Sequence, residues 1–144
     1  MTPRLLNFSP LIPELYCSDF QRSLDFYTKV LGFLVVYIRK EERFAFLERE
    51  GAQLMLEQTV NLERIWVSGE LQYPFGRGMS LQMRTTDVEA LYKKCNDSGA
   101  KLFLPLEKKW YQVEGKLLGN YQFIVHDPDG YLLRFSQDLG EKEV

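Results

Sequence analysis

The chain has 144 residues, 45% of them hydrophobic and 14% aromatic, and a formal net charge of −2 at pH 7. This composition predicts a globular domain and excludes a disordered or fibrous chain. Lys and Arg are scattered, so the basic face that nucleic acid requires is missing. No stretch approaches the roughly 18 apolar residues of a membrane span, and the N-terminal segment lacks a signal-peptide core. We therefore expect a cytoplasmic protein without nucleic-acid or membrane partners, with Cys17 and Cys95 as reduced thiols.

The first half of the chain has the pattern of one strand, one helix and three further strands, over residues 8–58. Ser18 and Gln21 have the spacing of a capping box, which predicts a helix directly after the strand LIPELYC. Gly32 stands where a left-handed C-cap ends that helix. The apolar runs FLVVYIR, RFAFLE and AQLMLEQ follow, separated by polar turn signals.

The second half repeats this plan over residues 79–138, after a predicted linker at 59–78. Thr86 and Glu89 form the second capping-box pattern, and Gly99 follows the helix. Three strands come next, with an irregular or hairpin excursion predicted between Pro105 and Gly119. The pattern predicts an α+β fold in which residues 1–144 form one domain, with two βαβββ modules making a curled mixed sheet around a cleft.

The strands carry mixed side chains on one face. Side chains alternate between the two faces of a strand, and the face predicted to pack under the helices is apolar. The opposite faces carry Glu14, Tyr16, Met55, Glu57, Ser80, Gln82 and Arg134. Such a face is either solvent-exposed or the lining of a concave site for a small molecule.

Two stretches, SDFQRSLDFYTKVLGF and FIVHDPDGYLLRF, together with the doubled βαβββ order, resemble the vicinal-oxygen-chelate superfamily over residues 8–138. That superfamily includes glyoxalase I, extradiol dioxygenases, fosfomycin resistance proteins and bleomycin-binding proteins. The stretches YPFGRGMSLQM and KWYQVEG look most similar to the bleomycin-resistance branch. The resemblance implies a homodimer that holds a cationic, planar-tailed ligand such as bleomycin between subunits without altering it. This chain departs from that branch near Gly119, where a stacking tryptophan is expected and the next aromatic residue is Tyr121.

The resemblance also identifies four positions that hold metal ligands in the enzymes of the superfamily. They fall on Ile12, Met55, Ser80 and Arg134, and none of these side chains is a normal ligand for a divalent cation. The positive charge of Arg134 would also repel a metal cation. The single histidine, His126, is interpreted as a turn or surface residue. We therefore predict neither a metal nor another cofactor.

Arg134 needs a partner if it points into a half-enclosed site. One interpretation is a salt bridge to Glu57 or Glu14. In the other, Arg134 donates to a carboxylate or other acceptor of a ligand that Gln82, Tyr16 and Gln53 orient. Further candidates for ligand contact are aromatic residues predicted in or beside loops: Trp66, Phe75, Trp110 and Tyr111. These rings would clamp a planar ligand, or else plug the cleft or cover a dimer contact.

The leading prediction is a metal-free, homodimeric binding protein of the bleomycin-resistance type that sequesters a planar or amphipathic molecule. The alternative is a glyoxalase-like or dioxygenase-like lyase or isomerase with an atypical site. A third hypothesis is a metal-free acid–base enzyme that uses Glu14 or Glu57 beside Arg134, since a carboxylate in a cleft can have a perturbed pKa.

Overall fold

The computed structural model describes residues 7–58 and 65–144. The chain divides into two compact units, residues 1–71 and 72–144. In each unit a strand and a helix precede three strands, which confirms the predicted α+β class and the repeated βαβββ module. Residues 59–64 of the predicted linker lie outside the described residues, and 65–78 contain no helix or strand.

The first unit is built on a four-stranded mixed sheet. Strand β1 (Glu14–Cys17) leads into α1 (Phe20–Asp25), which continues as a π-helical turn (Phe26–Val30). The remaining strands are β2 (Leu34–Arg39), β3 (Phe44–Arg49) and β4 (Ala52–Gln58), with a 3₁₀ turn at Lys40–Glu42. The sheet order is β1-β4-β3-β2, in which β1 and β4 are parallel and the other pairs antiparallel.

The second unit repeats this topology. Its elements are β5 (Ser80–Arg84), α2 (Val88–Ser98), β6 (Leu102–Val113), β7 (Lys116–His126) and β8 (Leu132–Glu143), and the sheet order is β5-β8-β7-β6. The predicted apolar faces form the two cores: Leu15, Leu54, Leu56, Leu133 and Phe135 are all at most 2% exposed. The cleft and the single-domain arrangement remain predictions. No helix of the described residues is long and apolar enough to cross a membrane.

The helix starts differ from the prediction by one residue. The N-caps are Asp19 and Asp87, not Ser18 and Thr86; their carboxylates accept from the amides of Arg22 and Ala90, both at 3.1 Å. A carboxylate satisfies the same orphan amides as a hydroxyl and adds a favourable charge at the positive end of the helix. The predicted glycine at the end of α2 is confirmed, since Gly99 is its C-cap with φ +76°.

The segment predicted as an irregular or hairpin excursion between Pro105 and Gly119 is a β-ribbon, with a register shift between Leu104 and Glu107 and continuous pairing from Glu107 to Val113. Strands β6 and β7 continue as an antiparallel pair to Val113 and Lys116, and the turn residues Glu114 and Gly115 both have positive φ, +47° and +80°. Positive φ at both central residues matches the right-handed twist of a hairpin. The hairpin alternative is therefore confirmed, and the placement of Trp110 and Tyr111 in or beside a loop is wrong because both lie within β6.

Candidate functional site

Arg134 lies on β8, in register with Gln82 on β5 and on the sheet face opposite the core. Its Nε and Nη2 atoms donate to Gln122 Oε1 at 3.0 and 2.6 Å, and Nη2 also donates to the Tyr111 hydroxyl at 3.3 Å. The guanidinium carbon is 5.7 Å from the centre of the Tyr111 ring. Three hydrogen bonds to residues of β6 and β7 thus hold the planar guanidinium in a defined orientation.

Gln122 connects Arg134 to a carboxylate. This side chain is only 2% exposed, and its amide nitrogen donates to Glu107 Oε1 at 3.1 Å and to the Tyr111 hydroxyl at 2.7 Å. The amide oxygen of Gln122 accepts from Arg134, and its amide nitrogen donates to Glu107. Gln122 therefore bridges the charges of these two residues. Within the described part of its own unit, Arg134 is therefore bound through an amide rather than by a direct ion pair. Its predicted salt bridge to Glu57 or Glu14 stays a prediction.

Glu14 and Glu57 come together on the face of the first sheet that points away from α1. Glu57 on β4 is opposite Tyr16 on β1, and Glu14 is opposite the neighbouring Met55. Burial, followed by a hydrogen bond and charge repulsion from Glu14, raises the pKa of Glu57 to about 7, while Arg39 acts in the opposite direction. Glu57 therefore keeps its proton to a higher pH than an ordinary carboxyl group does.

Aromatic residues flank Glu57 on both neighbouring strands, Tyr16 on β1 and Phe44 on β3. Phe44 is opposite Glu57 on β3, is 3% exposed, and stacks with Tyr37 at a centroid distance of 5.9 Å. The Tyr16 hydroxyl accepts a hydrogen bond from the backbone amide of Trp66 at 3.1 Å. The first unit therefore gathers four of the predicted site residues, Glu14, Tyr16, Glu57 and Trp66, although the Trp66 ring itself is exposed.

The raised pKa of Glu57 predicts a pH-dependent stability. Between its ordinary pKa of 4.5 and about 7, the folded protein binds a proton at Glu57 that the unfolded chain has released, so the free energy of unfolding falls as the pH rises through this range. We expect Glu57→Gln to remove this loss. At pH 8 the variant should be more stable than the wild type by about 1 kcal/mol, because solvent screens this partly exposed pair, and the difference should vanish near pH 4.

Thermal unfolding of both proteins from pH 4 to pH 8.5 measures this effect. Glu41→Gln removes one carboxylate from an exposed position and is the matched control. Equal pH profiles for the wild type and Glu57→Gln would show that Glu57 is ionised normally in the folded protein.

A pocket of about 380 Å³ opens in the second unit, at the end of the sheet where β5 and β8 begin. The residues that line it include Phe75, Arg77, Met79, Phe103, His126 and Leu132. Of these, only Phe75 is among the predicted ligand contacts. His126, interpreted as a turn or surface residue, is half-buried at the end of β7 directly before the turn, and it lies opposite Leu132 on the same side as Arg134. The alternation along β7 and β8 was the signal that could have assigned it to this face.

Trp110 is engaged within the β-ribbon. It pairs across the strands with Gly119, and a Cβ atom at Gly119 would come within 2.7 Å of its ring. Lys142 lies on β8, and its Nζ atom is 4.0 Å from the centre of the Trp110 ring. The space beside Gly119 is therefore occupied by the ring of Trp110, which comes from the neighbouring strand β6. The sequence alone did not reveal this contact.

The side chains at the four superfamily metal positions do not fit a metal ion. Ile12 precedes β1, Met55 lies beside Glu14, Ser80 begins β5, and Arg134 is bound to Gln122. Hard and borderline divalent cations require carboxylates or imidazoles, which none of these positions supplies. In residues 7–58 and 65–144, no three His, Cys, Asp or Glu side chains are grouped closely enough to hold a metal.

Two βαβββ modules of the same sheet order, with polar groups on the faces opposite their helices, define an α+β protein of the glyoxalase and bleomycin-resistance fold. The chain belongs to the Glyoxalase/Bleomycin resistance protein/Dioxygenase superfamily, whose model matches residues 12–135. No curated protein matches the chain.

Several solved structures are similar to this chain. TioX from Micromonospora sp. ML1 is 24% identical over 92% of this chain and 100% of its own, with a TM-score of 0.71. A protein of unknown function from Agrobacterium tumefaciens C58 is 27% identical over 94% and 97%, with a TM-score of 0.63. A superfamily member from Vibrio splendidus 12B01 is 40% identical over 89% and 97%, with a TM-score of 0.42.

Proposed function

We propose that this protein binds a small planar or amphipathic molecule without a metal and without altering it, as a sequestering protein of the bleomycin-resistance type. The observation that carries this proposal is the replacement of all four metal-ligand positions by Ile12, Met55, Ser80 and Arg134. The position where the metal enzymes usually carry a carboxylate holds a cation that is bonded to Gln122 and Tyr111. A site with this chemistry suits recognition through hydrogen bonds and ring contacts.

Thermal-shift measurements with bleomycin, phleomycin and a set of aromatic metabolites test the proposal. A ligand that binds the folded state raises the melting temperature by mass action. We expect at least one ligand to do so equally with a divalent metal and with a chelator, and mass spectrometry to recover it unchanged. A shift that requires a metal, or a chemically altered ligand, would favour the lyase, isomerase or dioxygenase alternative.

The proposed active form is a homodimer, following the branch that the chain resembles. Light scattering coupled to size exclusion should give twice the chain mass of 16.9 kDa. A monomer that still binds its ligand would remove the intersubunit groove from the proposal but leave the binding function in place.

A second candidate function is metal-free proton transfer by Glu57. The observation that favours it is the contact of the partly buried Glu57 with Glu14. This contact and burial raise the pKa of Glu57 toward neutral pH, where a general base or acid is most effective. Under this alternative, Glu57→Gln abolishes turnover of a ligand that still binds. The sequestering function instead predicts no turnover by either protein.

A further inference from the structure

The pocket of the second unit has an apolar body and one permanently charged residue. Its volume of about 380 Å³ falls within the range for small-molecule sites. Phe75, Phe103, Met79 and Leu132 contribute the apolar surface, and Phe103 and Met79 are 59% and 48% exposed. A ligand with an aromatic or aliphatic body would bury this surface and release its water.

Arg77 is the charged residue. Its Nη2 and Nε atoms donate to the backbone carbonyls of Tyr73 and Pro74 at 2.8 and 3.2 Å. These bonds hold the guanidinium without neutralising it, because a carbonyl carries no net charge. Arg134, by contrast, is linked to Glu107 through Gln122. Among the described residues that line the pocket there is no Asp or Glu, so the positive charge of Arg77 has no counterion there.

His126 supplies a second polar group. Its ring meets Phe103 edge to face at 5.8 Å, and its Nδ1 atom has no hydrogen-bond partner among the described residues. This Nδ1 atom is buried, and no described protein group bonded to it fixes the tautomer of the imidazole. Ser80 also lines the pocket, on the other side of Leu132, which is paired with Ser80 on β5 and with His126 on β7.

We infer that this pocket binds an amphipathic organic anion, with a carboxylate or sulfonate at Arg77 and an apolar ring against Phe103 and Met79. The carbonyls of Tyr73 and Pro74 leave donors on Nη1 and Nη2 of Arg77, and these can form a two-bond contact with such an acid. This inference rests on the proposed binding function and names the ligand class for one part of the protein. It also separates this pocket from the cationic antibiotics of the resistance branch, because Arg77 repels a cation.

Three naphthalene probes of matched size test the charge preference: 2-naphthoate, 2-naphthamide and 2-naphthylmethylammonium. Isothermal titration with the full chain should show 2-naphthoate binding at least tenfold more tightly than the ammonium compound. Arg77→Gln should weaken 2-naphthoate binding roughly 10-fold to 100-fold, the range for a lost charge-assisted hydrogen bond, and change 2-naphthamide binding less than threefold.

Two further variants keep the test independent of folding. Met79→Glu places an acid at the pocket while retaining Arg77, and should weaken 2-naphthoate more than 2-naphthamide. Arg84→Gln removes a charge of the same kind from the exposed ion pair with Asp138 on the same sheet, and should leave all three affinities unchanged.

The inference is overturned if Arg77→Gln, folded as judged by circular dichroism, binds 2-naphthoate as well as the wild type does, or if the ammonium probe binds more tightly. It is also overturned if none of the three probes binds. In each of these cases, a thermal shift by bleomycin or a metabolite would leave the proposed binding function standing. If 2-naphthoate binds as expected but ligands recovered from the protein are altered, the sequestering function fails and the ligand class stands.

Discussion

Gly130→Ala should lower the free energy of unfolding by about 3 kcal/mol, which corresponds to about 9 °C in melting temperature for a chain of this size. Gly130 has φ +95°, where a side chain adds about 1–2 kcal/mol of strain. A Cβ atom at this position would also come within 2.5 Å of Pro74 Cβ and 2.7 Å of Pro74 Cα. Because one of these atoms belongs to the backbone, the overlap can be relieved only if the turn moves away from the segment that it contacts.

Gly115→Ala is the matched control for this substitution. Gly115 also has positive φ, +80°, but an added Cβ meets no atom within 4 Å. Gly115→Ala should therefore lower the free energy of unfolding only by the backbone strain, about 1 kcal/mol. Urea unfolding measures both variants, and equal losses would show that the contact between Gly130 and Pro74 adds nothing to stability.

The Gly130 variant should also weaken ligand binding in the second unit. The turn is fixed by Asp127, whose carboxylate accepts from the amides of Asp129 and Tyr131 at 2.8 and 3.0 Å. The carbonyl of Asp129 in turn accepts from the amide of Phe75 at 2.8 Å, which attaches the pocket wall to the turn. Displacing the turn therefore displaces one side of the pocket.

Much of the fold was predictable because its signals are local. Alternation along the strands identified the core faces, and Gly99 marked the end of α2. The helix starts were predicted less accurately, since a hydroxyl and a carboxylate stand next to each other and either can be the cap. The first amide of each helix donates to a glutamine side chain far along the chain. The amide of Phe20 donates to Gln58 Oε1 at 2.8 Å, and that of Val88 donates to Gln137 Oε1 at 3.0 Å. No local pattern contains such contacts.

The candidate site was predicted as a set of residues but not as a set of contacts. Parity placed Arg134 on the correct face, yet its principal partner, Gln122, is a diagonal neighbour on β7, opposite Ser136 rather than Arg134. Long side chains reach diagonal positions, so strand parity alone cannot select the partner. Glu107 was missed because it lies in the segment that read as irregular, where no register could be assigned.

The candidate sites of the two units contain ionisable groups of opposite sign. The first has the carboxyl groups of Glu14 and Glu57 in contact, and the second has Arg77 in a pocket whose lining contains no Asp or Glu. A cationic ligand should therefore depend on Glu57 and an anionic ligand on Arg77. Affinities of both ligand types for the two neutralised variants would separate these sites, because each substitution should affect one ligand type only.

Arg134→Ala should destabilise the protein by about 2 kcal/mol, because it leaves the buried Gln122 oxygen without either of its guanidinium donors. Tyr111→Phe keeps the ring beneath the guanidinium and removes only the hydroxyl, so about 1 kcal/mol is expected. Gln122→Met retains the volume of the side chain without its hydrogen bonds. A double-mutant cycle between Arg134→Ala and Gln122→Met should give a coupling of at least about 1 kcal/mol.

The same cycle separates a structural arginine from a ligand-binding one. If Arg134 mainly supports the sheet, Arg134→Ala loses stability, and ligand affinity measured well below its melting temperature stays within about threefold of the wild type, less than 1 kcal/mol. If the guanidinium binds the ligand, the variant remains stable and binding is lost. Additive stability losses in the cycle would show that Arg134 and Gln122 do not stabilise each other. Together with a loss of binding, this result would assign Arg134 to the ligand.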